Sequence, residues 1–78
     1  MTQIVLNDGL QEIGKYSFVD CWNLLSVIMP HSLRTIEESA FRNCYGLRTV
    51  VLNEGLERIG NLAFKRTSIE RIEIPKTV

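Results

Sequence analysis

Few side chains in the 78-residue chain could do chemistry, and their spacing does not predict an active site. The two thiols, Cys21 and Cys44, are 23 residues apart, and His31 is the only histidine. Two thiolates and one distant imidazole do not supply the four ligands of a structural zinc ion, so we expect no metal. Ser32 follows His31, but nucleophilic catalysis needs a Ser-His pair that is oriented in space by an acid.

The remaining motifs point away from catalysis in the same way. Glu37 and Glu38 are the only adjacent acidic pair, and adjacent carboxylates in a loop usually face water. The sequence has no Gly-rich phosphate loop, HExxH motif or nucleophile elbow. We therefore expect a protein that is not an enzyme and that uses no cofactor.

The composition narrows the class of partner. Nine basic residues balance nine acidic ones, which argues against nucleic acid or an anionic membrane because both attract concentrated positive charge. The hydrophobic content of 45% is ordinary for a folded domain. No apolar run is long enough to span a membrane, and no signal-peptide pattern opens the chain, so the compartment stays open.

An internal repeat of 23 residues organises the chain. The Leu, Ile and Phe positions recur at this step, and the period shortens by one residue after Thr67. The recurring columns are Ile4/Val27/Val50, Leu6/Met29/Leu52, Leu10/Leu33/Leu56, Ile13/Ile36/Ile59 and Phe18/Phe41/Phe64. We number the repeats 1 (residues 1–23), 2 (24–46), 3 (47–68) and 4 (from residue 69).

Residues 24–44, LLSVIMPHSLRTIEESAFRNC, resemble the BspA-like leucine-rich repeat, with its I-x-[IL]-P strand followed by L-x-x-I and A-F-x-x-C. The resemblance covers nearly the whole chain. Departures are Asn7 and Asn53 in place of Pro, Ser17 in place of Ala, and Glu37 in place of Gly. They put the geometry at the strand ends in question, but not the fold.

The repeat predicts a β-rich α/β repeat fold, namely a right-handed leucine-rich-repeat solenoid with one short parallel strand per repeat and short helical turns opposite. We expect strands over 2–6, 25–29, 49–52 and 71–74, and a second short extended piece at 10–13 and its equivalents. Residues 1–78 form a single array of three 23-residue units and the start of a fourth. Because both ends are apolar and no polar capping repeat is visible, we expect a fragment of a longer array.

The outward strand positions predict the binding surface. Val5, Ile28 and Val51 form an apolar column that continues to Glu73, and the polar residues Gln3, Ser26, Thr49 and Arg71 flank it. An exposed apolar patch with a polar border often marks a protein interface, although β-branched residues also simply suit strands.

Two further pairs of equivalent residues allow more than one interpretation. Trp22 and Tyr45 could be interface anchors or could pack between repeats, and packing between repeats is the favoured interpretation. Cys21 and Cys44 stand one repeat apart, within reach of a disulfide, but a parallel register points their side chains alongside each other. Free thiols that act as small hydrophobes are therefore favoured.

The resemblance implies a function in protein recognition. BspA-like repeats are associated with cell-surface adhesion and with host or matrix proteins, and they also occur in intracellular proteins of protists. The expectation is a protein–protein interaction module, possible end-to-end contacts with neighbouring chains, and no insertion into a membrane. The alternative is a structural spacer or accessory subunit without a specific ligand; mutation of the outward column would separate the two.

Overall fold

Each of repeats 1 to 3 forms a three-residue strand and then a two-residue strand along the chain. The computed structural model describes residues 3–70, 72 and 74–77. Within this part the strands are β1 (Gln3–Val5), β2 (Glu12–Ile13), β3 (Ser26–Ile28), β4 (Thr35–Ile36), β5 (Thr49–Val51) and β6 (Arg58–Ile59). Their Val, Ile and Thr residues suit the extended backbone because branching at Cβ packs well on a pleated surface.

The strands form two parallel sheets of three strands each, and both follow the 23-residue step. The first sheet has the order β1-β3-β5, and the second has the order β2-β4-β6. In the first sheet Val5 pairs with Ile28, and Ile28 pairs with Val51. In the second sheet Ile13, Ile36 and Ile59 are in register. The predicted columns and the second extended piece are therefore confirmed, and the latter forms a sheet of its own.

The core lies between the sheets and is most complete in repeat 2. Leu24, Val27, Leu33, Ile36 and Phe41 of this repeat are fully buried. Among the equivalent residues of repeat 1, Ile4, Leu10 and Phe18 are only partly buried, while Ile13 is buried. Each repeat thus buries its apolar side chains mainly against its neighbours, as in other linear repeat proteins.

The third side of each repeat carries the phenylalanine column. The ring of Phe41 stacks between those of Phe18 and Phe64, with centroid distances of 5.1 and 5.4 Å and interplanar angles of 11° and 5°. Ala40 and Ala63, beside two of these rings, are buried, and their small side chains leave room for the stack. The stacked rings therefore continue the apolar core along this side of the array.

The predicted helical turn on this side is not found in the described residues, where the chain forms consecutive turns at 15–20, 38–43 and 61–66. Two residues in each segment have positive φ: Tyr16 and Asp20, Ser39 and Asn43, Leu62 and Arg66. A left-handed residue at every fourth position prevents a right-handed helix. Alternate amides donate instead to the next repeat, for example from Phe18 N to Ala40 O at 2.8 Å and from Phe41 N to Ala63 O at 2.8 Å.

Two parts of the predicted architecture, the fourth strand and the handedness, are not confirmed. The fourth predicted strand, over 71–74, includes Arg71 and Glu73, which lie outside the described residues, while Ile72 and Ile74 lie outside any strand. The right-handedness of the solenoid stays a prediction from the general preference for right-handed crossovers.

Candidate protein-binding surface

The outer face of the first sheet carries one column of exposed β-branched side chains. The register places Val5, Ile28 and Val51 side by side on three neighbouring strands. Their side chains are 81%, 51% and 48% exposed, whereas Val27 and Val50 on the inner face are buried. Strand alternation thus places the three predicted apolar residues on one open surface.

The predicted polar border is present where the structure describes it. Gln3 and Thr49 are exposed, Ser26 is half-buried, and the three residues are in register across β1, β3 and β5. Arg71 and Glu73, which were predicted to continue the border and the column, lie outside the described residues.

The first sheet differs from the second in charge. The strands of the first sheet read QIV, SVI and TVV and contain no charged residue. On the outside of the second sheet Glu12 and Arg58 are exposed. Arg34 and Glu57, which precede β4 and β6, form an ion pair of 2.7 Å between neighbouring repeats. Arg48, just before β5, and Glu70 of the next repeat form a similar exposed ion pair of 4.0 Å, so the two sheets differ in charge only within their strands.

A cluster of exposed apolar residues extends this surface towards the chain segments that precede β3 and β5. Trp22 is 62% exposed and Tyr45 is 51% exposed, which contradicts the favoured interpretation that they pack between repeats. Leu25, which the sequence analysis did not single out, is 48% exposed. The sequence offered one signal for the exposure of Leu25: repeat 3 has the charged residue Arg48 at the equivalent position.

Gly46 explains how this cluster is held. A Cβ at this position would stand 2.8 Å from the carbonyl oxygen of Trp22 and 3.5 Å from Cδ2 of Leu25. The missing side chain lets the two repeats approach closely at this corner. Trp22, Leu25 and Tyr45 are thus presented from a tightly packed backbone.

The two cysteines are free thiols in different surroundings. Cys44 is fully buried and donates a hydrogen bond from Sγ to the carbonyl oxygen of Phe18 at 3.1 Å, while Cys21 is partly exposed. Burial raises the pKa of the Cys44 thiol to about 11, because the thiolate would lose its hydration. The protonated Cys44 behaves as a small apolar residue of the core, as predicted.

The residues that were considered for catalysis or metal binding do not come together. His31 lines a depression of about 320 Å³ with Ser32, Arg34 and Glu57, and neither cysteine lines it. Within residues 3–70, 72 and 74–77 no group of three or more His, Cys, Asp or Glu side chains is placed to hold a metal ion. In the same part of the chain, no helix has the length and apolar character needed to cross a membrane.

The comparisons with known proteins agree with the repeated geometry. The family model described as BspA type leucine rich repeat region (6 copies) matches residues 1–78. The chain belongs to this family. Neither the search of curated proteins nor the search of solved structures found a match. Repeats of this family are typically non-catalytic, and leucine-rich repeats generally mediate protein–protein interaction.

Proposed function

We propose that the chain is a protein-binding module that holds its partner on the outer face of the first sheet. The observation that carries this proposal is the uncharged column of Val5, Ile28 and Val51, exposed on three strands that are in register. Solvent-exposed apolar side chains gain free energy when a partner covers them, at roughly 25 cal/mol per Å² of apolar surface. The polar residues Gln3 and Thr49 form the border that interfaces commonly have.

The exposed corner gives the surface its anchors. Trp22 and Tyr45 belong to the residue types that most often dominate binding energy, and Leu25 lies between Trp22 and β3 in the chain. In this proposal the partner is a protein with an apolar, weakly charged face. The resemblance to cell-surface members of the family supports an adhesion-type role, with a matrix or host protein as the partner.

The test replaces the column without disturbing the strands. In the triple variant Val5→Thr, Ile28→Thr and Val51→Thr, the β-branched shape is kept and polar hydroxyls face the partner. The matched control changes the outer face of the second sheet, with Glu12→Gln, Thr35→Ser and Arg58→Gln. Immobilised wild-type and variant chains are compared for the proteins they capture from the source organism, with circular dichroism to confirm folding.

We expect the first triple variant to lose at least tenfold in affinity, or about 1.4 kcal/mol, and the control to bind as the wild type does. Equal losses in both variants, or a loss in the control alone, would contradict the assignment of the first sheet.

A structural role is the second candidate. It is supported by the partly buried apolar residues of repeat 1, including Leu6, Leu10 and Phe18, whose surface a neighbouring unit could cover. A spacer of this kind would keep its contacts in the first triple variant. Retention of every captured protein by that variant would favour the structural role.

A further inference from the structure

In every repeat a turn follows the strand of the first sheet or, in repeat 4, the equivalent position. These turns alternate between two classes from one repeat to the next. Repeats 1 and 3 carry Asn7-Asp8-Gly9 and Asn53-Glu54-Gly55, and repeats 2 and 4 carry Pro30-His31-Ser32 and Pro75-Lys76-Thr77. The middle residue alternates as well, acidic in the Asn class and His or Lys in the Pro class. The full structural period of this edge is therefore two repeats.

The hydroxyl of each Pro-class turn holds the Asn-class turn of the preceding repeat. Ser32 Oγ accepts a hydrogen bond from Gly9 N at 2.8 Å and donates one to Leu10 O at 2.7 Å. Thr77 repeats the arrangement, accepting from Gly55 N at 3.1 Å and donating to Leu56 O at 2.7 Å. The glycines have φ of +102° and +97°, values that a side chain would disfavour.

The asparagine of repeat 3 makes the reverse kind of contact, in which a residue of an Asn-class turn bonds to the Pro-class turn of the preceding repeat. Asn53 is 6% exposed, and its Nδ2 donates to two carbonyls of the preceding repeat, Leu33 O at 2.8 Å and His31 O at 3.3 Å, and to Glu54 O of its own turn at 3.1 Å. Each class of turn therefore bonds backwards to a turn of the other class. A buried amide that donates to two main-chain carbonyls discriminates between partners, because leaving its donors unpaired costs free energy.

Repeat 1 has an equivalent asparagine on its open face, the face that no other described repeat covers. Asn7 occupies the position of Asn53, but its side chain is exposed. Leu10 and Phe18 of this repeat are partly buried, whereas Leu33 and Phe41 are fully buried beneath a neighbouring repeat. The face thus has the apolar residues and the amide of an internal contact between repeats.

We propose that this face of repeat 1 seats a further repeat of the Pro-x-Ser/Thr class, stacked on it in the same 23-residue register. Asn7 Nδ2 donates to two carbonyls of its turn, as Asn53 does in repeat 3. Asp8 then takes the place of Glu54 in the alternation of acidic residues with His or Lys along this edge. The partner is identified by this turn chemistry and by continuity with the contact between repeats 2 and 3.

The experiment adds the repeat and removes the amide. A second copy of residues 24–46 is fused ahead of Met1, which then takes the position of Leu47. The matched control carries the same extension with Pro30→Asn, His31→Glu and Ser32→Gly in the added copy, which changes only the class of turn. Asn7→Ala is made in the original and in both extended chains, and urea unfolding gives the folding equilibrium constants.

We expect Asn7→Ala to change the constant of the original chain less than threefold and to lower that of the Pro-class extension at least tenfold. In the Asn-class extension the loss should stay below threefold. Equal losses in the two extensions, or a Pro-class extension that does not fold, would overturn the proposal. Self-association of the original chain that Asn7→Ala abolishes, measured by sedimentation, would assign the face to a second copy and would also overturn it.

Discussion

At the scale of single residues, position within the stack decides what a repeated side chain does. Cys21 and Cys44 occupy equivalent positions, but only Cys44 is covered on both sides and fully buried. Asn7 and Asn53 differ in the same way, since Asn53 has a preceding repeat to bond and Asn7 is exposed. The chemical behaviour of a residue in this protein is therefore set by its neighbours along the array.

Cys44 gives a prediction for stability against pH. Its folded-state pKa is raised to about 11 by burial, while the unfolded thiol ionises near its ordinary pKa of 9.0. Between these values the unfolded state loses its proton first, so stability is greatest below pH 9.0 and falls as the pH rises towards about 11. The expected loss is about 2 kcal/mol.

Urea unfolding between pH 7 and pH 11 measures this effect. The control is Cys44→Ala, which removes the buried thiol and leaves the rest of the chain unchanged, so the difference between the two curves isolates the thiol. Parallel curves for the wild type and Cys44→Ala would show that the thiol does not ionise differently in the two states.

At the scale of elements, Gly60 packs against the main chain of the preceding repeat, whereas Gly14 belongs to repeat 1 and has no preceding repeat among the described residues. A Cβ on Gly60, which follows β6, would stand 2.5 Å from Glu38 N and 2.6 Å from Glu37 C. At the equivalent Gly14, after β2, the nearest atom is Ser17 Oγ at 3.2 Å, the end of a side chain that can rotate. The main-chain atoms beside Gly60 can move far less to accommodate a methyl group than the side chain of Ser17 beside Gly14 can.

This difference predicts unequal effects of the same substitution. Gly60→Ala should destabilise the chain by about 1–3 kcal/mol because the new methyl group meets main-chain atoms. Gly14→Ala should change stability by less than about 0.5 kcal/mol. Chemical denaturation of both variants measures the effect, and a cost at Gly14 that matches the cost at Gly60 would contradict the close approach between β4 and β6.

Much of the element pattern could be predicted from the sequence, because columns such as Val5, Ile28 and Val51 follow directly from the period. The consecutive turns could not, since Tyr16 and Leu62 are not residue types that signal positive φ. Asp20 and Asn43 did carry such a signal, because Asp and Asn tolerate the left-handed region. Asn53 was recognised only as a departure from Pro, since its role depends on carbonyl groups that the fold brings within reach.

At the scale of the whole molecule, the two sheets differ in the side chains that their strands expose. The first sheet exposes Val5, Ile28 and Val51, while the outside of the second sheet exposes Glu12 and Arg58. The net charge of zero therefore averages over unlike surfaces. Such a division suits a module that meets one partner on one side and water on the other.

The central claim, that a protein partner sits on the first sheet, is tested most directly by photo-crosslinking from single positions. The photoreactive residue p-benzoylphenylalanine replaces Ile28 in one variant and Thr35, on the second sheet of the same repeat, in the other. We predict a covalent adduct with a partner protein at position 28 and at least tenfold less adduct at position 35. Adduct formation at position 35 without adduct formation at position 28 would contradict the claim.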